Sequence, residues 1–76
     1  MTDARPRKRS LTLHGHRTSV SLEEAFWTAF VQMARARGLS INALATQIDR
    51  ERGVSAGLAS AIRVAVLRHV RQGGQD

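Results

Sequence analysis

The sequence has no cysteine, no tyrosine, a single proline, and only two Phe and one Trp as aromatic residues. Without cysteine it can form neither disulfides nor thiolate zinc sites, two of the usual reinforcements of a small domain. That absence fits a reducing compartment. Acidic residues are also scarce. Asp and Glu number 6 against 12 Lys and Arg, giving a formal charge of +6 and an isoelectric point near 11.8. No run approaches the roughly 18 apolar residues of a membrane span. Arg5 to Arg9 are followed by SLTLHGHRTS, which is not the apolar core of a signal peptide. A soluble, cytoplasmic chain with no membrane partner is expected. The 76 residues make one domain, and a chain this short buries only about 60% of its unfolded surface. It can hardly enclose a substrate pocket, so neither an enzyme nor a cofactor is expected. The reinforcement that remains is a partner subunit.

The basic excess is localised. Residues 1–20 hold Arg5, Arg7, Lys8, Arg9 and Arg17 against Asp3 alone, a charge of +4, and the other 56 residues carry only +2. Eleven of the twelve basic residues are Arg, beside eleven Ala, a bias that a GC-rich genome produces by itself. The position of the charge, more than its identity, points to an anionic partner such as nucleic acid. Residues 1–9, MTDARPRKR, lack apolar periodicity and read as a flexible basic arm. Residues 72–76, QGGQD, read as a disordered tail.

Residues 10–22, SLTLHGHRTSVSL, alternate as a strand does, but the alternation changes phase: Leu11 and Leu13 are odd, Val20 and Leu22 even. Gly15 lies between them, where a bulge, a bend or a tight turn is least costly. The firm strand is taken as 17–22, with 10–16 an extension of it. Residues 23–37 make a first helix with Phe26, Trp27, Ala29, Phe30, Met33 and Ala34 on one face, opened by a Ser21–Glu24 capping box and closed at Gly38. Ser40 caps a second helix whose stripe is Ile41, Leu44, Ala45 and Ile48. After the small-residue stretch GVSAG, a third helix spans about 57–71. Leu58, Ala59, Ile62, Ala65, Val66, His69 and Val70 share its apolar face, and Arg63, Arg68 and Arg71 the other, with Val64 and Leu67 among them.

A lone strand leaves backbone N–H and C=O groups without partners, and the simplest remedy is antiparallel pairing with the same strand of a second copy about a two-fold axis. The expected architecture is mainly α, with one N-terminal strand pairing across a dimer and then three helices. Val20, Leu22, Phe26, Trp27, Phe30, Met33, Ile41, Leu44 and Ile48 would fill the dimer core. The ribbon's opposite face would carry Arg17, Ser19 and Ser21, and a two-stranded ribbon fits the DNA major groove.

The segment RTSVSLEEAFWTAFVQMARARGLSINALATQI resembles the ribbon-helix-helix family of Arc- and MetJ-type DNA-binding domains. The likeness rests on the short alternating strand, the acidic helix start, the Phe-rich first helix, the Gly-Leu-Ser turn and the Ile/Leu second helix. It implies an obligate intertwined dimer whose antiparallel ribbon enters the major groove of double-stranded DNA. Residues 10–52 would form that core and 53–71 an additional C-terminal helix. The family's outward strand positions fall on Arg17, Ser19 and Ser21, the expected base contacts. The start of its second helix, whose N–H groups hold a phosphate, falls on Ser40, Ile41 and Asn42. Arg5, Arg7, Lys8 and Arg9 are further expected phosphate contacts, tracking the backbone or entering a neighbouring minor groove.

Other residues carry weaker signals. His14 and His16 would share a face of an extended strand, but no carboxylate or cysteine stands near them in sequence, so no metal site is expected. His69 and Trp27 read as packing residues, and no catalytic spacing stands out. The third helix either caps the core or meets a neighbouring dimer or a protein partner. The function expected is a sequence-specific repressor with no small-molecule effector. The alternatives are the antitoxin of a toxin–antitoxin pair and an adaptor that works without DNA.

Overall fold

The computed structural model describes residues 4–52 and 57–73. The joint expected at 53–56, the first three residues of the arm and the last three of the tail lie outside the described residues. Five elements follow in order: β1 (Arg7–Leu13), β2 (His16–Leu22), α1 (Glu24–Ala36), α2 (Ile41–Glu51) and α3 (Leu58–Gly73). None of the helices among these residues is long and apolar enough to cross a membrane.

The strands correct one expectation. In place of a single strand waiting for a second copy, β1 and β2 pair antiparallel with each other inside one chain. Arg7 lies opposite Leu22, Arg9 opposite Val20, Leu11 opposite Thr18 and Leu13 opposite His16. Residues directly opposite share a face of the sheet, so odd positions of β1 lie beside even positions of β2. The change of phase at Gly15 is therefore what lets Leu11, Leu13, Val20 and Leu22 face the same way. Between the strands, His14 and Gly15 both adopt positive φ, 52° and 78°, as a two-residue type I′ hairpin turn demands. β1 begins at Arg7, so the last three residues assigned to the arm are strand.

The helices lie against the hairpin's apolar face. α1 opens at Glu23, which makes no side-chain cap bond, so the expected Ser21–Glu24 box is not formed; Ser21 is instead part of β2. Its other end follows the expected chemistry. Gly38 takes φ 69°, its N–H donates to Arg35 O at 3.1 Å, and the Leu39 N–H donates to Ala34 O at 2.9 Å, the paired bonds of a Schellman stop. Ser40 caps α2 by accepting the Ala43 N–H at 3.0 Å. α3 packs across both other helices and contributes Ile62 and Val66 to the core.

That core is filled from one chain. Val20, Leu22, Phe30, Met33, Leu44 and Ile48 are buried with Leu11, Leu13, Ile62 and Val66, and Phe26, Trp27 and Ile41 pack half-buried around them. The residues expected to line a shared dimer core meet one another within a single copy, with Leu11 and Leu13 of β1 and Ile62 and Val66 of α3 beside them. Each fully buried Leu or Phe contributes about 1.5–3 kcal/mol.

Candidate nucleic-acid interface

Because the register puts the apolar residues on one face, the remaining residues are forced onto the other. Lys8 lies opposite Ser21, Ser10 opposite Ser19 and Thr12 opposite Arg17. All six are exposed. The three expected base-contacting residues, Arg17, Ser19 and Ser21, therefore sit together on one surface, joined by Lys8, Ser10 and Thr12 from β1. The sequence reading missed Ser10 and Thr12. The signal for them was present: a phase change with His-Gly at its centre marks a hairpin, and a hairpin aligns the even residues of β1 with the odd residues of β2.

Side-chain bonds mark the backbone groups that point away from the ladder. On the β1 edge, the Thr12 N–H donates to Asn42 Oδ1 at 3.0 Å. On the β2 edge, Ser21 O accepts from Arg63 Nη2 at 3.4 Å. In an antiparallel pair the residues alternate between bonding the neighbouring strand and bonding outward. Thr12 and Ser21 fix that alternation, so the N–H and C=O groups of Arg17 and Ser19 face the outer edge of β2. Among the described residues, each edge is held at one point by a helix and makes no further backbone–backbone hydrogen bond.

The basic residues divide sharply. Lys8 and Arg17 project from the exposed face, and Arg5 and Arg7 are exposed at the start of the hairpin. Arg9 is not available in the same way, contrary to its expected phosphate role. It lies on the inner face, its guanidinium carbon 5.0 Å from the centre of the Trp27 ring, and its Nη2 donates to Glu24 Oε1 at 2.5 Å. Trp27 in turn packs at 5.6 Å from Phe30 in a tilted arrangement. The Arg9 stem and its buried Nε thus belong to the packing of the hairpin on α1.

The carboxylates nearby are also engaged. Glu23 accepts from Arg63 through both oxygens, at 2.9 and 3.1 Å, a fork that ties α3 to the β2–α1 junction. Those bonds hold the Glu23 carboxyl below its usual range. Asp49 is lowered by the bond from Arg52 Nε at 2.6 Å and, to a smaller degree, by His14, whose Nε2 lies 3.5 Å away. No carboxylate is part of the exposed ribbon face.

The start of α2 stands beside the ribbon because Asn42 Oδ1 is bonded to β1. Ser40 Oγ takes the Ala43 N–H, and the N–H groups of Ile41 and Asn42 lie in the first turn, where a helix favours an anion. His14 sits in the turn rather than on a strand beside His16, and no group of three His, Cys, Asp or Glu among the described residues could hold a metal ion.

A family model described as a ribbon-helix-helix domain matches residues 6–70. Among solved structures, an uncharacterized protein from Bordetella pertussis Tohama I is similar, with 36% identity over 93% of this chain and a TM-score of 0.75. The present chain spans 61% of that protein's length. No curated protein is significantly similar. The family match takes in the hairpin, α1, α2 and most of α3, so the additional helix lies within the family's domain as well. With this order of elements and this extent of match, the chain belongs to the ribbon-helix-helix domain family, a family of DNA-binding regulators and antitoxins.

Proposed function

We propose that this protein is a dimeric, sequence-specific DNA-binding transcriptional regulator, acting as a repressor in the bacterial cytoplasm, that lays the β1–β2 ribbon in the major groove. One observation carries the reading. A two-stranded ribbon presents two cations and four hydroxyls on an exposed face free of carboxylates, above a filled apolar core. A ribbon of this kind fits the groove, Arg17 has the fork geometry to read guanine, and the hydroxyls of Ser10, Thr12, Ser19 and Ser21 bond either donors or acceptors on base edges. Lys8, Arg5 and Arg7 lie where phosphates would flank the groove, and the first turn of α2 at Ser40, Ile41 and Asn42 supplies N–H groups to one more. Arg9 is left out of this set because its guanidinium is held by Glu24 and Trp27.

The open β2 edge supports the dimer. A second copy pairing there would build a four-stranded sheet about a two-fold axis, with Arg17 and Ser19 making the new ladder. The weak Arg63 bond to Ser21 O yields in that assembly. No small-molecule effector is part of the reading.

Selection of bound fragments from random DNA, followed by titration at several salt concentrations, tests the proposal. It requires enrichment of two-fold-related half-sites and a steep loss of affinity with salt, close to one unit of log–log slope per phosphate contacted. Arg17→Ala is expected to cost about 1–3 kcal/mol on the selected site and much less on random DNA. Absence of enrichment, or an unchanged site preference in Arg17→Ala, overturns it.

A further inference from the structure

The Asn42 side chain joins the two halves of the candidate interface. Its Oδ1 accepts the Thr12 N–H at 3.0 Å, and Thr12 lies directly opposite Arg17 in the hairpin. Opposed residues that do not exchange ladder bonds, as here, have Cα atoms about 4.5 Å apart. One side chain and one strand crossing therefore connect the first turn of α2 to the cation expected to read bases. Thr12 does not require this bond for its own sake. The N–H groups of Lys8 and Ser10 face outward on the same edge, also on exposed residues, and among the described residues they make no such bond.

A second tie holds the other end of the helix. His14, in the hairpin turn, places Nε2 3.5 Å from Asp49 Oδ2. Asn42 and Asp49 are seven positions apart, about 10 Å along α2. Ties at that separation set the direction of the helix as well as its position. Without the one at Asn42, a rotation of about 10° would move the helix start by roughly 2 Å, well beyond the ~0.5 Å within which a preorganised site works. The residue type suits the place. An amide oxygen accepts a backbone N–H without carrying charge, and α2 has no acidic residue in its first turn. Asp would accept the same bond but set a negative charge where a phosphate is to sit. We propose that Asn42 is a positioning residue: its side chain holds the first turn of α2 in register with Arg17, so that phosphate and base contacts form together. This task is separate from the phosphate contact of its backbone N–H, and it rests on the DNA-binding reading above.

The full chain is tested on a DNA site selected from random fragments and on a random duplex. Amide exchange reads the tie without DNA: Asn42→Ala is expected to speed exchange of the Thr12 N–H roughly fivefold, the worth of one hydrogen bond, and Asn42→Asp to leave it slow. On DNA, Asn42→Ala is expected to lower the ratio of selected-site to random affinity by roughly fivefold as well, because random binding uses phosphates in any register. A partly unfolded sample would weaken both duplexes alike and leave that ratio unchanged. Asn42→Asp is expected to weaken both duplexes by a similar factor and to preserve the ratio. In an Arg17→Ala background, Asn42→Ala is expected to take nothing further from the ratio, as residues acting together are not additive. Several results overturn the role: an unchanged Thr12 exchange rate, equal weakening of both duplexes by Asn42→Ala, or losses that multiply with those of Arg17→Ala. A wild-type chain that prefers no site overturns the DNA-binding reading and this role with it. A wild-type preference that Asn42→Ala leaves intact overturns this role alone.

Discussion

The two faces of one hairpin, built from the same fourteen strand residues, have opposite fates. On the inner face Leu11, Leu13, Val20 and Leu22 are buried under three helices; on the outer face Lys8, Ser10, Thr12, Arg17, Ser19 and Ser21 remain in solvent. Lys8 and Arg9 are neighbours in sequence with the same charge, yet one projects outward while the other is stacked on Trp27 and bonded to Glu24. A cation in a basic stretch is thus not a binding residue by composition. Its position in the pleat decides whether its charge faces a partner or the protein itself.

The largest effect that would break this comparison comes from the inner face. Leu22 is fully buried, and Leu22→Ala is expected to cost about 2–5 kcal/mol in urea unfolding. Its neighbour Ser21, exposed on the other face, is expected to tolerate Ala within about 0.5 kcal/mol. Similar costs at both positions would mean that the faces are not distinct. Next comes the turn that sets the register. A Cβ on Gly15 would meet nothing within 4 Å, so Gly15→Ala tests the φ of 78° alone and is expected to cost about 1–2 kcal/mol. An unchanged stability would show that the hairpin does not depend on this turn.

The Lys8 and Arg9 pair sharpens the comparison further. Arg9→Ala is expected to lose about 1 kcal/mol of stability through its ring and packing contacts. Lys8→Ala is expected to leave stability unchanged and to reduce the salt slope of DNA binding by about one. The reverse pattern would exchange their roles. The smallest effect concerns acid. The Glu23 and Asp49 carboxyls are held below their usual range by Arg63 and Arg52, so the unfolded chain binds their protons at higher pH than the folded one. Their contribution is present above about pH 5 and is lost as the pH falls through the lowered folded values. Glu23→Gln is expected to flatten the acid limb of a stability–pH curve slightly; an identical limb would show that the Arg63 fork adds nothing measurable on this exposed surface.

Much of this was legible in the residues themselves. The amphipathic faces of α1 and α2, the Gly38 stop and the Ser40 cap each depend on neighbours within a turn or two, and each is found where the pattern put it. The hairpin was half legible. The phase change was visible, but a bulge in one strand and a turn between two strands both produce it, and the choice rests on helices burying the four apolar residues together. Of the candidate site, Arg17, Ser19 and Ser21 followed from alternation. Ser10 and Thr12 required the strand partner, and the withdrawal of Arg9 required Trp27, eighteen positions away.

By itself, the sequence determined the helices, the Gly38 stop and Ser40 cap between the first two, the concentration of positive charge in the first twenty residues and the scarcity of acids to oppose it, because propensity, capping and charge are local quantities. The tertiary structure alone decided that β1, rather than a second copy, completes the ribbon. It also decided that Glu23 is tied to Arg63 across forty residues, that α3 closes the core while leaving Val64, Leu67 and Val70 outside it, and which cations of the hairpin face outward. Those outcomes depend on which distant surfaces come within a few ångströms of each other, and periodicity along the chain carries no record of that distance.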